Sequence, residues 1–240
     1  MSKIAKNMLP YWKSVIIILA LLVVQAMCDL ALPSYTSDII DVGIQNSGVE
    51  HVVPEKITEE ELQTAQFIMT DDEADVWKNL YKEKDGYYEL KDLSEDKLNQ
   101  ADEELTVPLI MNYQMSAMEV DTFKKSIAAQ MGMDEAQLAD MSVEQIGQMM
   151  HMELESFMQE KKDDDGNTKT VECVDVRGVF SALLQSGAMT KDQIFSMRDD
   201  MEDTIDAMGS SLVKSMGVAY AVSADKAAGV DINQVQKDYL

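Results

Sequence analysis

The side chains that could bind metals or act as nucleophiles are few, and their spacing is poor. Histidine occurs only as His51 and His151, which share no metal-ligand spacing, and neither H-E-x-x-H nor G-x-S-x-G is present. The 19 methionines are more prominent. Met111, Met115 and Met118 share a helical face, as do Met197, Met201 and Met208, and Met149, Met150 and Met152 surround His151. Thioether and imidazole ligands suit Cu(I). The same three- and four-residue spacing is also that of helix-core packing by an adaptable side chain, and core is the reading we adopt. Around Asp163-Asp-Asp-Gly166 the chain has part of a calcium loop. Asp163 and Asp165 stand third and fifth, Gly166 sixth and Glu172 twelfth, but Lys161 occupies the first position, where a carboxylate is required. We read it as an acidic turn. No catalytic residue, metal site or bound cofactor is assigned.

The elements that would carry such residues are set by charge and by the chain's beginning. Lysine and arginine total 20 against 44 aspartates and glutamates, a net charge of −24. Setting aside Lys3, Lys6, Lys13 and Asp29 leaves 17 basic and 43 acidic residues after Pro33. A surface this acidic repels phosphate backbones, which excludes nucleic acid as a partner. Two cysteines, Cys28 within the apolar N-terminal segment and Cys173 far beyond it, do not make a disulfide framework.

Lys3, Lys6 and Lys13 precede an apolar run from Val15 to Val24, and a helix from Tyr11 to Leu32 has the roughly 20 residues that cross a bilayer. The lysines place the N-terminus in the cytoplasm and residues 34–240 outside the cell membrane. No paired small residues mark a cleavage site before Cys28, so the segment reads as an uncleaved anchor. Gln25 and Asp29 lie four apart, on one face of that helix. A polar face within a span usually turns to a protein interior or a cavity, although Asp29 also lies near the outer interface.

After the span comes Leu32-Pro33-Ser-Tyr-Thr-Ser-Asp-Ile39-Ile40-Asp41-Val-Gly43-Ile44. In order and spacing this resembles the end of the first membrane helix, and its outer extension, in ATP-binding-cassette exporters of the multidrug and lipid kind. The tail from Ala227 to Leu240 is similar to the approach to the second span in clostridial-type members with a large extracytoplasmic insertion. The resemblance covers about residues 8–48 and the tail. It implies the transmembrane subunit of an ATP-driven exporter, here its N-terminal part. The remaining transmembrane helices, a nucleotide-binding domain, a second subunit, identical or not, and ATP with Mg would belong to the full-length protein. It also implies that Gln25 and Asp29 face the translocation pathway or neighbouring helices, and that the outer domain gates or recognises substrate or a partner. The sequence has no G-x-x-x-x-G-K-[ST], so no nucleotide site of that kind lies in this chain. A complete single-pass anchor carrying an extracellular binding module is the alternative.

The expected fold is mainly α, with one N-terminal transmembrane helix and a mostly helical outer domain holding one or two short hairpins. Residues 1–10 are cytoplasmic, 11–46 the span and its extension, 47–57 a linker, 58–228 the outer domain and 229–240 the approach to a second span. Thr58 with Glu61, Thr70 with Glu73, Ser142 with Gln145 and Thr190 with Gln193 each have capping-box spacing. These predict helices over 58–70, 71–81, 142–161 and 191–207. Pro108 suggests the first turn of a helix over 107–131, and further helices are expected over 176–185 and 211–228. Asp85-Gly86 between Tyr81 and Asp92 predicts a hairpin, and Thr170–Val174 a strand. Ile39, Ile40 and Ile44 form an apolar ridge that needs a neighbouring helix to cover it.

Overall fold

The computed structural model describes residues 21–22, 25–27, 36, 39–162, 168–206 and 210–240. It is mainly helical, with short strands in two small antiparallel sheets. Most of the span predicted over 11–32 lies outside the described residues; among those described, no helix is long and apolar enough to cross a membrane. The described residues fall into two compact units. One holds those up to Val49 together with Asn233–Leu240, and the other holds Glu50–Ile232.

The larger unit begins inside the stretch read as a linker. Val52, Val53 and Ile57 are buried there, and Lys56–Ile57 forms strand β1. Helix α1 (Glu59–Thr64) continues into a 3-10 turn at Ala65–Ile68, and α2 spans Asp71–Leu80. Strands β2 (Tyr81–Lys84) and β3 (Tyr87–Leu90) make the expected hairpin. Asp85 and Gly86 both have positive φ, 52° and 80°, the conformation a two-residue hairpin turn with right-handed strand twist requires. The order β1-β3-β2 places β1 on the hairpin's open side, with Ile57 opposite Tyr88. Trp77 is fully buried, its ring edge-on to Tyr81 at 4.9 Å, and its indole N–H donates to the Leu62 carbonyl.

Helix α3 (Glu95–Ser116) is the central element; α2, a later helix α8 (Lys191–Asp206) and α9 (Ser210–Ala227) all pack on it. This corrects the helix predicted over 107–131. Pro108 lies inside α3, its side chain buried, rather than in a first turn. The helix then stops at Ala117, because Met118–Glu119 leaves helical geometry to pair as strand β4 with Cys173 and Val174. A new helix, α4 (Val120–Met131), starts immediately afterwards and ends on Gly132 in the left-handed region. Sheet hydrogen bonds to a strand more than 50 residues away override a local helical pattern.

A second correction concerns 142–161. Helix α5 (Glu135–Ala139) precedes the Ser142 cap, and α6 runs only from Val143 to Met149. The chain turns at His151, with φ 58°, and Ser156–Lys162 becomes β5, paired in register with β6 (Thr168–Val174). Helices α7 (Arg177–Gln185), α8, α9 and α10 (Ile232–Tyr239) complete the chain. The core between α3, α4, α6, α7, α8 and β6 holds Met111, Met115, Phe123, Ile127, Leu138, Ile146, Val174 and Ile194, all buried. Met118, Met133, Met141, Met150, Met152 and Met201 are packed around it, half buried. Unbranched thioether side chains suit such irregular gaps between short helices. Met197 is exposed, and Met208 lies outside the described residues.

Candidate functional site

Two places gather unusual residues. The first is the unit holding the sequence motif. Ile39–Gln45 forms a π-helical segment, with the Asn46 N–H donating to the Asp41 carbonyl at 3.0 Å. Bonding five residues apart stacks Ile39 and Ile44 on one side. Both remain exposed, as does Ile40 (51%, 60% and 44% for Ile39, Ile44 and Ile40), so nothing among the described residues covers the predicted ridge. Asp41 is half buried. Gly43 is buried, and a Cβ built there would meet Leu240 Cδ2 at 2.7 Å and the Tyr239 ring at 3.4 Å. Gly48, at φ 82°, brings its backbone against Gln236, where a Cβ would lie 2.9 Å from that residue's Cα. The Gln236 side-chain amide donates to the Gly43 carbonyl at 2.7 Å. The motif glycine thus has a physical reason: it lets α10 approach the backbone. Gln25 is helical and exposed; Asp29, Leu32 and Pro33 lie outside the described residues.

The second place is a half-buried polar cluster that the sequence reading missed. Glu61 Oε1 accepts from Asn112 Nδ2 at 2.7 Å and from the Tyr220 hydroxyl at 3.0 Å, while its Oε2 accepts from Arg177 Nη1 at 2.7 Å. Asp175 accepts from Arg177 Nε and Nη2, making the pair bidentate. Burial alone would push the guanidinium pKa down. The hydrogen bonds it donates to Asp175 and the charges of Glu61 and Asp175 outweigh burial and raise it. Burial, then the Glu61 charge, pushes the Tyr220 phenol well up, which keeps it a donor. Asn112 is fully buried, and its Oδ1 has no hydrogen-bond partner among the described residues. Four elements, α1, α3, α7 and α9, are therefore clamped through one carboxylate. Every Arg177 bond is to a carboxylate of its own fold, an arrangement suited to holding helices together.

Asp225 is also buried; its Oδ1 accepts from the Lys56 N–H at 2.8 Å and ties α9 to β1. Burial raises its carboxyl to about 7. His51 Nδ1 lies 2.9 Å from Asp102 Oδ2, and the Val52 N–H donates to the other oxygen of the same carboxylate. The hydrogen bond to Asp102 raises the imidazole above its ordinary value, against the opposing effect of burial. His151 is exposed in its turn, away from any ligand set. Among the described residues no group of three or more His, Cys, Asp or Glu is placed to hold a metal ion. Asp163–Asn167, the centre of the acidic turn, lies outside those residues; Glu172 accepts from the Ser156 hydroxyl.

Sequence offered one signal for the cluster, Glu61 at capping spacing, and it pointed to another role. Its partners lie 51, 116 and 159 residues away, beyond any local pattern.

The chain matches no protein-family model, no curated protein and no solved structure.

Proposed function

We propose that this chain is part of the transmembrane subunit of an ATP-driven exporter. In this reading the N-terminal apolar segment is a first membrane helix with its N-terminus in the cytoplasm. Residues 39–48 and 233–240 are the outer ends of that helix and of the next, and Glu50–Ile232 is an extracytoplasmic domain inserted between them. That domain gates the pathway or recognises substrate or a partner, and Gln25 and Asp29 face the pathway or neighbouring helices. ATP and Mg would be held by a nucleotide-binding domain elsewhere in the full-length protein, which would work with a second subunit.

The observation that carries the reading is the packing of α10 on Gly43 and Gly48. An inserted domain must leave and rejoin its host at neighbouring points, and here 183 residues separate two segments that meet side by side. The ridge of Ile39, Ile40 and Ile44, still exposed beside that joint, is the surface further membrane helices would cover. Reading the gene tests the proposal. A frame that continues past Leu240 into an apolar span within roughly 20 residues, and later into G-x-x-x-x-G-K-[ST], supports it. A stop codon directly after Leu240 contradicts it.

A further inference from the structure

Two three-stranded sheets have four edges, and three of them are poor templates for a further strand. Strands β1 and β4 are two residues long, and β2 exposes Lys82, Glu83 and Lys84, the charged pattern that keeps an edge single. The fourth edge, β5, differs. It is seven residues long and pairs with β6 on one side only, and alternate residues turn their N–H and C=O away from β6. Phe157 and Met158 point to its opposite faces and are 41% and 65% exposed. One exposed apolar side chain is ordinary. Two in succession on an open edge offer an added strand an apolar contact on each face. Residues Ser156 to Glu160 alone present roughly 16 Å of such edge.

Charge selects the strand that fits. From Glu153 to Asp175 the sequence has eight acidic residues against three lysines. Glu153, Glu155 and Glu160 are exposed, and the Glu144 carboxylate lies within reach of the Ser156 N–H at the start of β5. A second copy of the chain, itself at −24, is repelled, whereas an extended segment rich in lysine or arginine is attracted. We infer that β5 is a docking edge for a cationic peptide, which adds to the second sheet as a strand beside Ser156–Glu160. Backbone hydrogen bonds hold the peptide, Phe157 and Met158 meet its apolar side chains, and the surrounding carboxylates favour its positive ones. The inference does not depend on the exporter reading, since every residue it uses lies within Glu50–Ile232.

Hydrogen exchange reads the backbone directly. The whole chain, in micelles of a neutral detergent, is titrated with an acetylated and amidated heptapeptide of alternating lysine and valine. The expected result is saturable binding with Kd on the order of 10–100 μM. Exchange slows severalfold at the amides of residues 156–160 and is unchanged elsewhere. A glutamate–valine heptapeptide, and the lysine–valine heptapeptide methylated at every backbone nitrogen, bind at least about tenfold more weakly. Met158→Lys places a like charge on the edge and weakens binding by a similar factor. Because Met158 is exposed, the urea midpoint of this variant stays that of the native chain. Met197→Lys, the same change at an exposed position on α8, leaves the affinity as it was. Binding without protection of residues 156–160 would mean attraction to the acidic surface at large and would overturn the inference. Equal binding of the glutamate or the methylated peptide, or native affinity in Met158→Lys, would overturn it too. Protection of residues 156–160 that appears when the chain alone is concentrated would assign the edge to a second copy, which also overturns it.

Discussion

Helices α1 and α2 begin with the same signature and use it differently. At α2 the Thr70 hydroxyl accepts from the Glu73 N–H, and the Glu73 carboxylate returns to the Thr70 N–H at 2.8 Å, closing the box. At α1 the Thr58 hydroxyl caps Glu61 in the same way, at 3.1 Å, but the Glu61 carboxylate turns inward to Asn112, Tyr220 and Arg177. Each glutamate also meets an arginine, Arg198 for Glu73 and Arg177 for Glu61. The local pattern decides where the helix starts. The surroundings decide what the acid does: the two carboxylates are about equally exposed, 16% for Glu61 and 14% for Glu73, but only Glu61 has Asn112 and Tyr220 as donors within reach.

Breaking each pair sharpens the contrast. Arg177→Met leaves Glu61 and Asp175 together without a cation, and the expected cost is about 2–3 kcal/mol in urea unfolding, below that of a fully buried pair because solvent reaches Asp175. Asp225→Asn should show itself through pH. The folded carboxyl titrates near 7, above its ordinary value, so its contribution to stability is present in acid and lost as pH rises from about 4 to 7. The asparagine keeps an acceptor for Lys56 and removes that slope, gaining on the order of 4 kcal/mol over the native chain at pH 8. Parallel pH profiles for the two proteins would refute the burial account. Glu73 works in the opposite window. Burial would raise its pKa, but Arg198 and the Thr70 N–H together lower it, so its contribution is lost only as pH falls below the ordinary carboxylate range.

Arg198→Met should cost less than Arg177→Met, about 1–2 kcal/mol, since Glu73 keeps its backbone donor and sits at a helix N-terminus that favours negative charge. Equal losses for the two arginines would erase the distinction between cap and clamp. The smallest effects belong to Thr58→Ala and Thr70→Ala, each about 1 kcal/mol in thermal or urea unfolding, because each removes one hydroxyl bond to a helix N–H.

What the sequence made legible follows the same division. Thr70, Ser142 and Thr190 announced helix starts because capping chemistry acts within three residues, and all three form reciprocal boxes. Asp134 with Gln137 forms another that went unremarked. Asp85-Gly86 announced its hairpin for the same local reason. The helix predicted across Ala117 and the one predicted across His151 failed where β6 draws Met118–Glu119 and Ser156–Lys162 into a sheet. The pattern gave no warning there, since the pairing residue lies dozens of positions away. Gly43 was recognisable as part of a motif, but its reason, the approach of Tyr239 and Leu240, requires the tail to be in place. The Glu61 cluster was invisible for the same cause.

The joint between the motif and the tail is the centre of the functional proposal, and cross-linking tests it most directly. Cysteines placed by Gly43→Cys and Leu240→Cys, in a chain carrying Cys28→Ser and Cys173→Ser, are brought together in native membranes and exposed to mild oxidant. The account predicts substantial intramolecular disulfide formation, because a Cβ at position 43 would come to 2.7 Å from Leu240 Cδ2, an atom that Leu240→Cys removes, which leaves the two cysteines side by side. No cross-link under conditions where each single cysteine reacts with a thiol reagent would show the two segments apart, and would contradict the account.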